Sequence, residues 1–203
     1  MRVDPITLEG RHVRLEPLQL HHTNALFNVA LDPRIWEFTS SVIHNLADVQ
    51  KYVETALEWQ RAGTAVPFAT VESGSGTVNG STRFENLDVA NRRVEIGWSW
   101  LNPRWWRTPI NTEAKYLLLR HAFEEWRCIR VEFKTWVHNQ RSRSATLRLG
   151  AKEEAIMRQR MTRHDGSFRD AVYFSILDDE WPEVKQRLEN RLSQSELLPC
   201  YAR

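Results

Sequence analysis

Few residues of this 203-residue chain stand where they could do chemistry. Glu95 lies in Arg93-Val-Glu-Ile-Gly-Trp-Ser-Trp-Leu, whose alternation reads as a strand. Strict alternation sets Val94, Ile96, Trp98 and Trp100 on one face, and Glu95, Gly97 and Ser99 on the other. A carboxylate so placed is either a proton acceptor or a structural partner for Arg92, Arg93 or a neighbouring strand. The irregular stretch Asn102-Pro-Arg-Trp-Trp-Arg-Thr-Pro-Ile-Asn then leads into a helix expected over Thr112 to Trp126. A helix start that faces the end of a strand is where ligands often sit. Arg104 and Arg107 flank this loop. Further on, Asn139 is a candidate N-cap with Ser142 in the first turn behind it. Tyr173, on a later strand, offers a phenol, although an aromatic on an alternating strand is ordinary core.

Other chemistries are excluded or left bare. His21-His22 has no further ligands at metal spacing, and Cys128 and Cys200 form neither a metal cluster nor a disulfide scaffold. No Ser-His-Asp or Cys-His arrangement is recognisable. No metal is expected. The net charge of +2 is too small for a dedicated nucleic-acid or membrane-surface binder. No apolar run nears the roughly 18 residues that span a bilayer, and the first residues lack the apolar core of a secretory signal. A cytoplasmic protein is expected, as a monomer or a homodimer. Between Arg141 and Arg169, eight basic residues oppose three acids, so this segment carries +5 and the rest of the chain −3. It reads either as a solvated helix face followed by a charged hairpin, or as a patch receiving a small polyanion. Nine tryptophans predict a large aromatic core or an aromatic-walled pocket.

The elements that must position these groups follow from periodicity. His12 to Leu18 is a half-buried strand, His21 to Ala30 a short helix, and Asp48 to Ala62 a longer one with apolar residues at 3–4 spacing. Strands follow at Phe68–Glu72, Val78–Phe84 and Arg93–Leu101. After the helix of Thr112–Trp126 come a strand at Ile129–Val137 and a helix at Ser142–Leu149, closed by Gly150. A hairpin then pairs Ala155–Arg163 with Asp170–Leu177 across Asp165-Gly166. A last helix spans Glu180–Leu192. This is one mixed α/β domain over 1–203, its core about 6–182, with a C-terminal helix and tail over 183–203. In such sheets ligands sit beyond the carboxyl ends of strands, near a helix start, which places the candidate site at 101–113 with Asn139–Arg143 opposite.

Six local signatures, in order, resemble the GNAT N-acetyltransferases, specifically the branch acetylating ribosomal-protein N-termini (RimJ/RimL-like). They are Val94-Glu-Ile-Gly-Trp-Ser-Trp-Leu-Asn-Pro, Asn111-Thr-Glu-Ala-Lys, Asn139-Gln-Arg-Ser, Arg148-Leu-Gly-Ala, Asp165-Gly-Ser-Phe-Arg-Asp and Glu180-Trp-Pro. The resemblance covers about Ile6 to Pro182. It implies a mixed central sheet of six or seven strands, splayed in the middle, with four or five helices. It also implies transfer of an acetyl group from acetyl-CoA to a primary amine by direct attack in a ternary complex. The acceptor would be a protein N-terminal α-amine or a small amino-acid-like amine. An antibiotic- or toxin-detoxifying N-acetyltransferase and a non-catalytic acyl-CoA-binding module are the alternatives.

The resemblance assigns roles by position. Family members hold the cofactor pyrophosphate on a loop of pattern Gln/Arg-x-x-Gly-x-Gly/Ala; here it reads Trp106-Arg-Thr-Pro-Ile-Asn111, with a tryptophan at the basic position and proline at the first glycine. Backbone groups of Trp106, Arg107, Thr108, Ile110, Asn111 and Thr112 would bind it, although Pro109 removes one N–H. A backbone N–H near Trp100 or Leu101 would polarise the thioester carbonyl. Asn139 would bond the pantetheine amide, and Ser142 or Tyr173 would protonate the thiolate. Glu95, eleven residues before Trp106, has the general base's spacing in the histone-acetylating branch; its alternative is a structural carboxylate. Trp36, Phe38 and His44 could line the amine pocket, with Arg83, Phe84 and Glu85 on the neighbouring strand.

Overall fold

In the computed structural model, residues 4–39, 41–162 and 166–197 are described. The chain opens with β1 (Leu8–Glu9) and β2 (Val13–Pro17), then α1 (Thr23–Ala30) and α2 (Leu46–Arg61). Asn45 and Asp48 start α2 as a reciprocal capping box, with Asn45 Oδ1 accepting from the Asp48 amide at 3.0 Å. Then come β3 (Ala65–Glu72), β4 (Val78–Asp88), β5 (Arg93–Leu101) and α3 (Pro109–Arg120). A π turn over His121–Glu125 prolongs α3 into the segment expected to be regular helix. Last are β6 (Arg130–Trp136), α4 (Gln140–Leu149), β7 (Lys152–Thr162), β8 (Phe168–Leu177) and α5 (Trp181–Leu197). Gly150 ends α4 at φ 105, where a side chain would be strained. The tip expected for the last hairpin includes Asp165, outside the described residues; so do Cys200 and the end of the tail.

Eight strands form one sheet in the order β1-β2-β3-β4-β5-β6-β8-β7, the two-residue β1 being the strand periodicity did not reveal. All pairings are antiparallel except β5 with β6. That central pair holds three rungs only, Arg93–Arg130, Val94–Val131 and Glu95–Glu132. From Ile96 onward β5 has no partner on that side, so the sheet is split in the middle, as expected.

One face carries α1 and α2, whose Tyr52 hydroxyl reaches Ser81 of β4 at 3.2 Å. The other carries α3, clamped to the β1–β2 turn by Glu113. This carboxylate accepts from the amides of Arg11 (3.0 Å), His12 (2.6 Å) and Val13 (2.8 Å). Gly10 admits it, since a Cβ there would sit 2.6 Å from the Glu113 carboxyl carbon. The core fills both faces and is rich in rings: Phe68, Phe84 and Trp126 pack together on the α3 side.

Candidate active site

A bulge in β5 decides which side chains reach the split. Arg83 pairs with Gly97 and Ser81 with Trp100, so Thr82 faces both Trp98 and Ser99, and Trp98 takes φ 51. The extra residue shifts the alternation by one. Trp98 and Trp100 therefore share the Glu95 face, contrary to the strict alternation expected, while Ser99 turns to the α3 side. The contacts agree: Trp98 Nε1 donates to Glu85 (2.9 Å) and Trp100 Nε1 to Tyr52 (3.2 Å). Ser99 instead meets Thr82 Oγ1 (2.7 Å) and Lys115 of α3.

The split forms a cleft of about 280 Å³, lined from both faces. On the α2 side its wall is aromatic: Trp36, Phe38, Tyr52, Trp98, Trp100 and Trp136, with Glu85 and Glu95 among them. Trp36 is braced by Ala30 O (2.7 Å) and by Trp100 (5.1 Å between rings), and Phe38 by Trp136 (5.4 Å). On the α3–α4 side stand Ser99, Lys115, Asn139, Ser142 and Thr146. Asn139 does cap α4, accepting from the Ser142 amide at 3.0 Å, and that bond presents the Ser142 hydroxyl to the cleft. Lys115 is 7% exposed; Ser99 and Thr82 hydroxyls contact its ammonium, with no carboxylate beside it among the described residues. Burial without a counter-charge pulls it down to about 7.

The carboxylates differ sharply. Glu95, 2% exposed, is held by Lys134 (3.1 Å to Oε1) and by the Asn86 amide (2.8 Å to Oε2). Asn86 reaches it because β4 is irregular between Glu85 and Asp88, with Asn86 at φ 51. Burial, then the charge of Glu95, push Glu85 up to about 7 against the opposing pulls of Lys134, Trp98 and Arg83.

Other expected positions lie elsewhere. Phe84, fully buried, points to the α3 face against Phe68 and Trp126 and lines no part of the cleft. Arg83 is 1% exposed and enclosed by Tyr52, Trp59 and Trp98, 4.6–5.1 Å from their ring centres. It too lies outside the lining, one layer behind Trp98. Tyr173 is opposite Lys134 on β8, again outside the lining. Trp100 lines the cleft; Leu101 does not, and its carbonyl accepts from Trp106 Nε1 at 2.8 Å. His22 is structural, accepting at Nδ1 from the Gln19 amide.

Beside the cleft, Pro109 occupies the first position of α3, where a missing N–H breaks no helical bond. The amides of Thr108, Ile110 and Asn111 there have no intrahelical acceptor, whereas that of Thr112 already reaches the helix's first carbonyl. Trp106 is a platform rather than a gap: the Arg141 guanidinium stacks 3.9 Å from its ring centre and Arg34 lies at 5.7 Å. Arg107, exposed at φ 63, stands at the same corner. Three cations of the basic run from Arg141 to Arg169 have separate partners. Arg143 pairs with Glu153 (3.0 Å), Lys152 with Glu180, and Arg169 stacks on Trp136 (4.3 Å).

Residues 12–152 match the family described as "Acetyltransferase (GNAT) domain". The chain belongs to the GNAT acetyltransferase family. This N-acetyltransferase is 33% identical over 145 residues to the "Putative ribosomal N-acetyltransferase YdaF" of Bacillus subtilis (strain 168), covering 70% of this chain and 77% of that one. It superposes on a GCN5-related N-acetyltransferase from Brucella melitensis with a TM-score of 0.87 at 31% identity, over 93% and 86% of the two chains. Mycobacterium smegmatis RimJ, solved in complex with CoA-disulfide, shares the fold with a TM-score of 0.79 at 22% identity, over 93% and 96%. The eight-stranded split sheet with five α-helices is thus the GNAT fold. Among the described residues no helix is long and apolar enough to cross a membrane, and no three His, Cys, Asp or Glu side chains are placed to hold a metal ion.

Proposed function

We propose that this GNAT enzyme transfers the acetyl group of acetyl-CoA to a primary amine by direct attack, the acceptor being a protein N-terminal α-amine or a small amino-acid-like amine. The observation that carries this reading is a cleft lined from both faces of the split sheet. The side bearing Asn139 and Ser142, next to the start of α3, fits the cofactor; the aromatic side beneath α2 fits the acceptor. Acetyl-CoA, when bound, supplies an activated thioester carbonyl. The chain holds it through the unpaired edge of β5, the free amides at Thr108, Ile110 and Asn111, and the Arg104, Arg107 and Arg141 cations. Ser142 is the hydroxyl available to a departing thiolate. Cys128 supports a direct rather than an acyl-enzyme route: it is 1% exposed in the core, and burial pushes its thiol up to about 11.

The acceptor side holds two carboxylates, one of them neutralised by Lys134, among six aromatic rings. That suits a single amine rather than a polycation. The name carried by the Bacillus relative points the same way. Calorimetric titration with acetyl-CoA tests the cofactor half, and micromolar binding is expected; no heat at millimolar cofactor overturns it. Thiol release with unblocked peptides, against the same peptides N-blocked and against polyamines and aminoglycosides, tests the acceptor. Turnover with polyamines alone would overturn the peptide or amino-acid reading.

A further inference from the structure

We propose that Glu85, on β4, receives the proton of the acceptor amine, with Glu95, paired to Lys134, held opposite it on β5. The proposal rests on the transfer reading above and departs from the assignment of Glu95 as the base. Glu85 faces Glu95 directly across β4 and β5, and both carboxylates line the cleft. They are not equivalent. Glu95 has the ammonium: Lys134 lies 3.1 Å from its Oε1 and bonds its Oε2 at 3.4 Å, where Asn86 also donates at 2.8 Å, while Oε1 accepts no hydrogen bond. Glu85 is held by one oxygen only, Oε2, which accepts from Trp98 Nε1. Among the described residues nothing donates to its Oε1.

That free oxygen lies across Gly97. A Cβ at position 97 would stand 1.8 Å from Glu85 Oε1, so the glycine leaves the space in which the carboxyl sits. The bulge immediately after Gly97 brings Trp98 round to hold the other oxygen. Glycine, bulge and indole together place the Glu85 carboxyl over Gly97, in the lining of the cleft.

The charges around it make it a proton acceptor rather than a permanent anion. From β5 it faces Glu95, and from β6 Lys134, whose ammonium sits against Glu95. From its own strand comes Arg83, whose charge faces the rings of Tyr52, Trp59 and Trp98; α2 contributes the neutral Tyr52. Two carboxylates therefore share one nearby ammonium, and the one left short binds a proton more readily. Burial first, and then the charge of Glu95, raise Glu85 to about 7, which suits an acid–base group at neutral pH. In the step, Glu85 Oε1 takes one proton from the amine as the nitrogen lone pair forms the C–N bond and the C–S bond breaks. The sulfur leaves with the proton of the Ser142 hydroxyl, and the proton held by Glu85 passes to water, which restores the one lost by Ser142.

The test follows thiol release from acetyl-CoA, with an unblocked N-terminal serine peptide as probe, from pH 5.5 to 9.5 for the wild type, Glu85→Gln, Glu85→Asp and Glu95→Gln. Carboxyl infrared bands are titrated in parallel on the same proteins. The amide oxygen introduced by Glu85→Gln can still accept from Trp98, so that variant keeps the local fold. Expected are a wild-type kcat rising to a plateau above about 7, and a loss of about 10²–10³ at pH 7 in Glu85→Gln that narrows as pH rises. Glu85→Asp should recover part of the rate, and Glu95→Gln should move the rise to lower pH. A carboxyl band titrating near 7 should be present in the wild type and missing in Glu85→Gln. An unchanged pH profile in Glu85→Gln overturns the proposal and leaves the transfer reading standing, as does a near-neutral band surviving in that variant. A wild type that releases no thiol with any unblocked peptide or free amine overturns the transfer reading, and this role of Glu85 with it.

Discussion

Replacing Lys115 by methionine should stabilise the protein, and by an amount that depends on pH. The lysine value falls from 10.5 to about 7 on folding because its ammonium is buried with hydroxyl partners alone. The unfolded chain therefore holds this proton up to about pH 10.5 and the folded chain releases it near 7. Stability consequently rises with pH between those values, and the full penalty lies below 7. At roughly 1.4 kcal/mol per pH unit the gap corresponds to about 5 kcal/mol. Methionine keeps the apolar stem and removes the charge. The hydroxyls left behind stay satisfied, since Thr82 and Ser99 bond each other at 2.7 Å. Urea unfolding followed by tryptophan fluorescence at pH 6, 7.5 and 9 measures the difference. The variant should be more stable by about 3–5 kcal/mol at pH 6, with the margin shrinking steadily towards pH 9. A margin that stays constant with pH, or a variant less stable at pH 6, would refute the reasoning.

Further outcomes follow from neighbouring contacts. Gly97→Ala should cut acetyl transfer about as deeply as Glu85→Gln while leaving acetyl-CoA binding, read by calorimetry, within a few-fold, because the new methyl displaces the Glu85 carboxyl. Glu113→Ala strands three amides of the β1–β2 turn and should lower unfolding stability by about 2–4 kcal/mol, with Glu113→Gln intermediate. Asn139→Ala removes the α4 cap and should lower stability by about 1 kcal/mol; a larger effect on kcat than on thermal midpoint would mark its place in the cleft. Trp106→Ala removes the platform under Arg141 and should weaken acetyl-CoA about tenfold by calorimetry. Equal affinity would show that this cation does not serve the cofactor.

What the sequence disclosed and what it hid divide along physical lines. The β5 run, the cap at Asn139 and the stop at Gly150 are local features, carried by period, capping and turn chemistry. The bulge at Trp98 is not local. Alternation across Arg93–Leu101 looks unbroken in letters, and only the pairing of Gly97 and Trp100 with β4 shows that one residue is extra. One inserted residue exchanges faces for all that follow it, so the indoles were expected on the wrong side. Glu85 was legible only as a residue near the pocket. Its distinction from Glu95 depends on which carboxylate Lys134 and Asn86 reach, and those lie 39 and 9 residues from Glu95 in the chain. Glu113 stands just past the first turn of α3, and its role lies in a turn about a hundred residues away. Trp106 and Pro109 looked like damage to an anion loop; in the structure Trp106 carries a stacked Arg141, and Pro109 takes the first helical position, where its missing N–H breaks no helical bond.

Three rungs join the two halves of the sheet. On one side β1 to β5 form a meander of sequence neighbours; on the other, β6, β8 and β7 pair among themselves. Each half therefore has ladders of its own, and in the sheet only these three rungs form the seam that ties one half to the other. A ligand lying in the split would touch both halves and act as a clasp across that seam, raising the resistance to unfolding by mass action. Pulled or heated without it, the molecule should part first between Glu95 and Glu132.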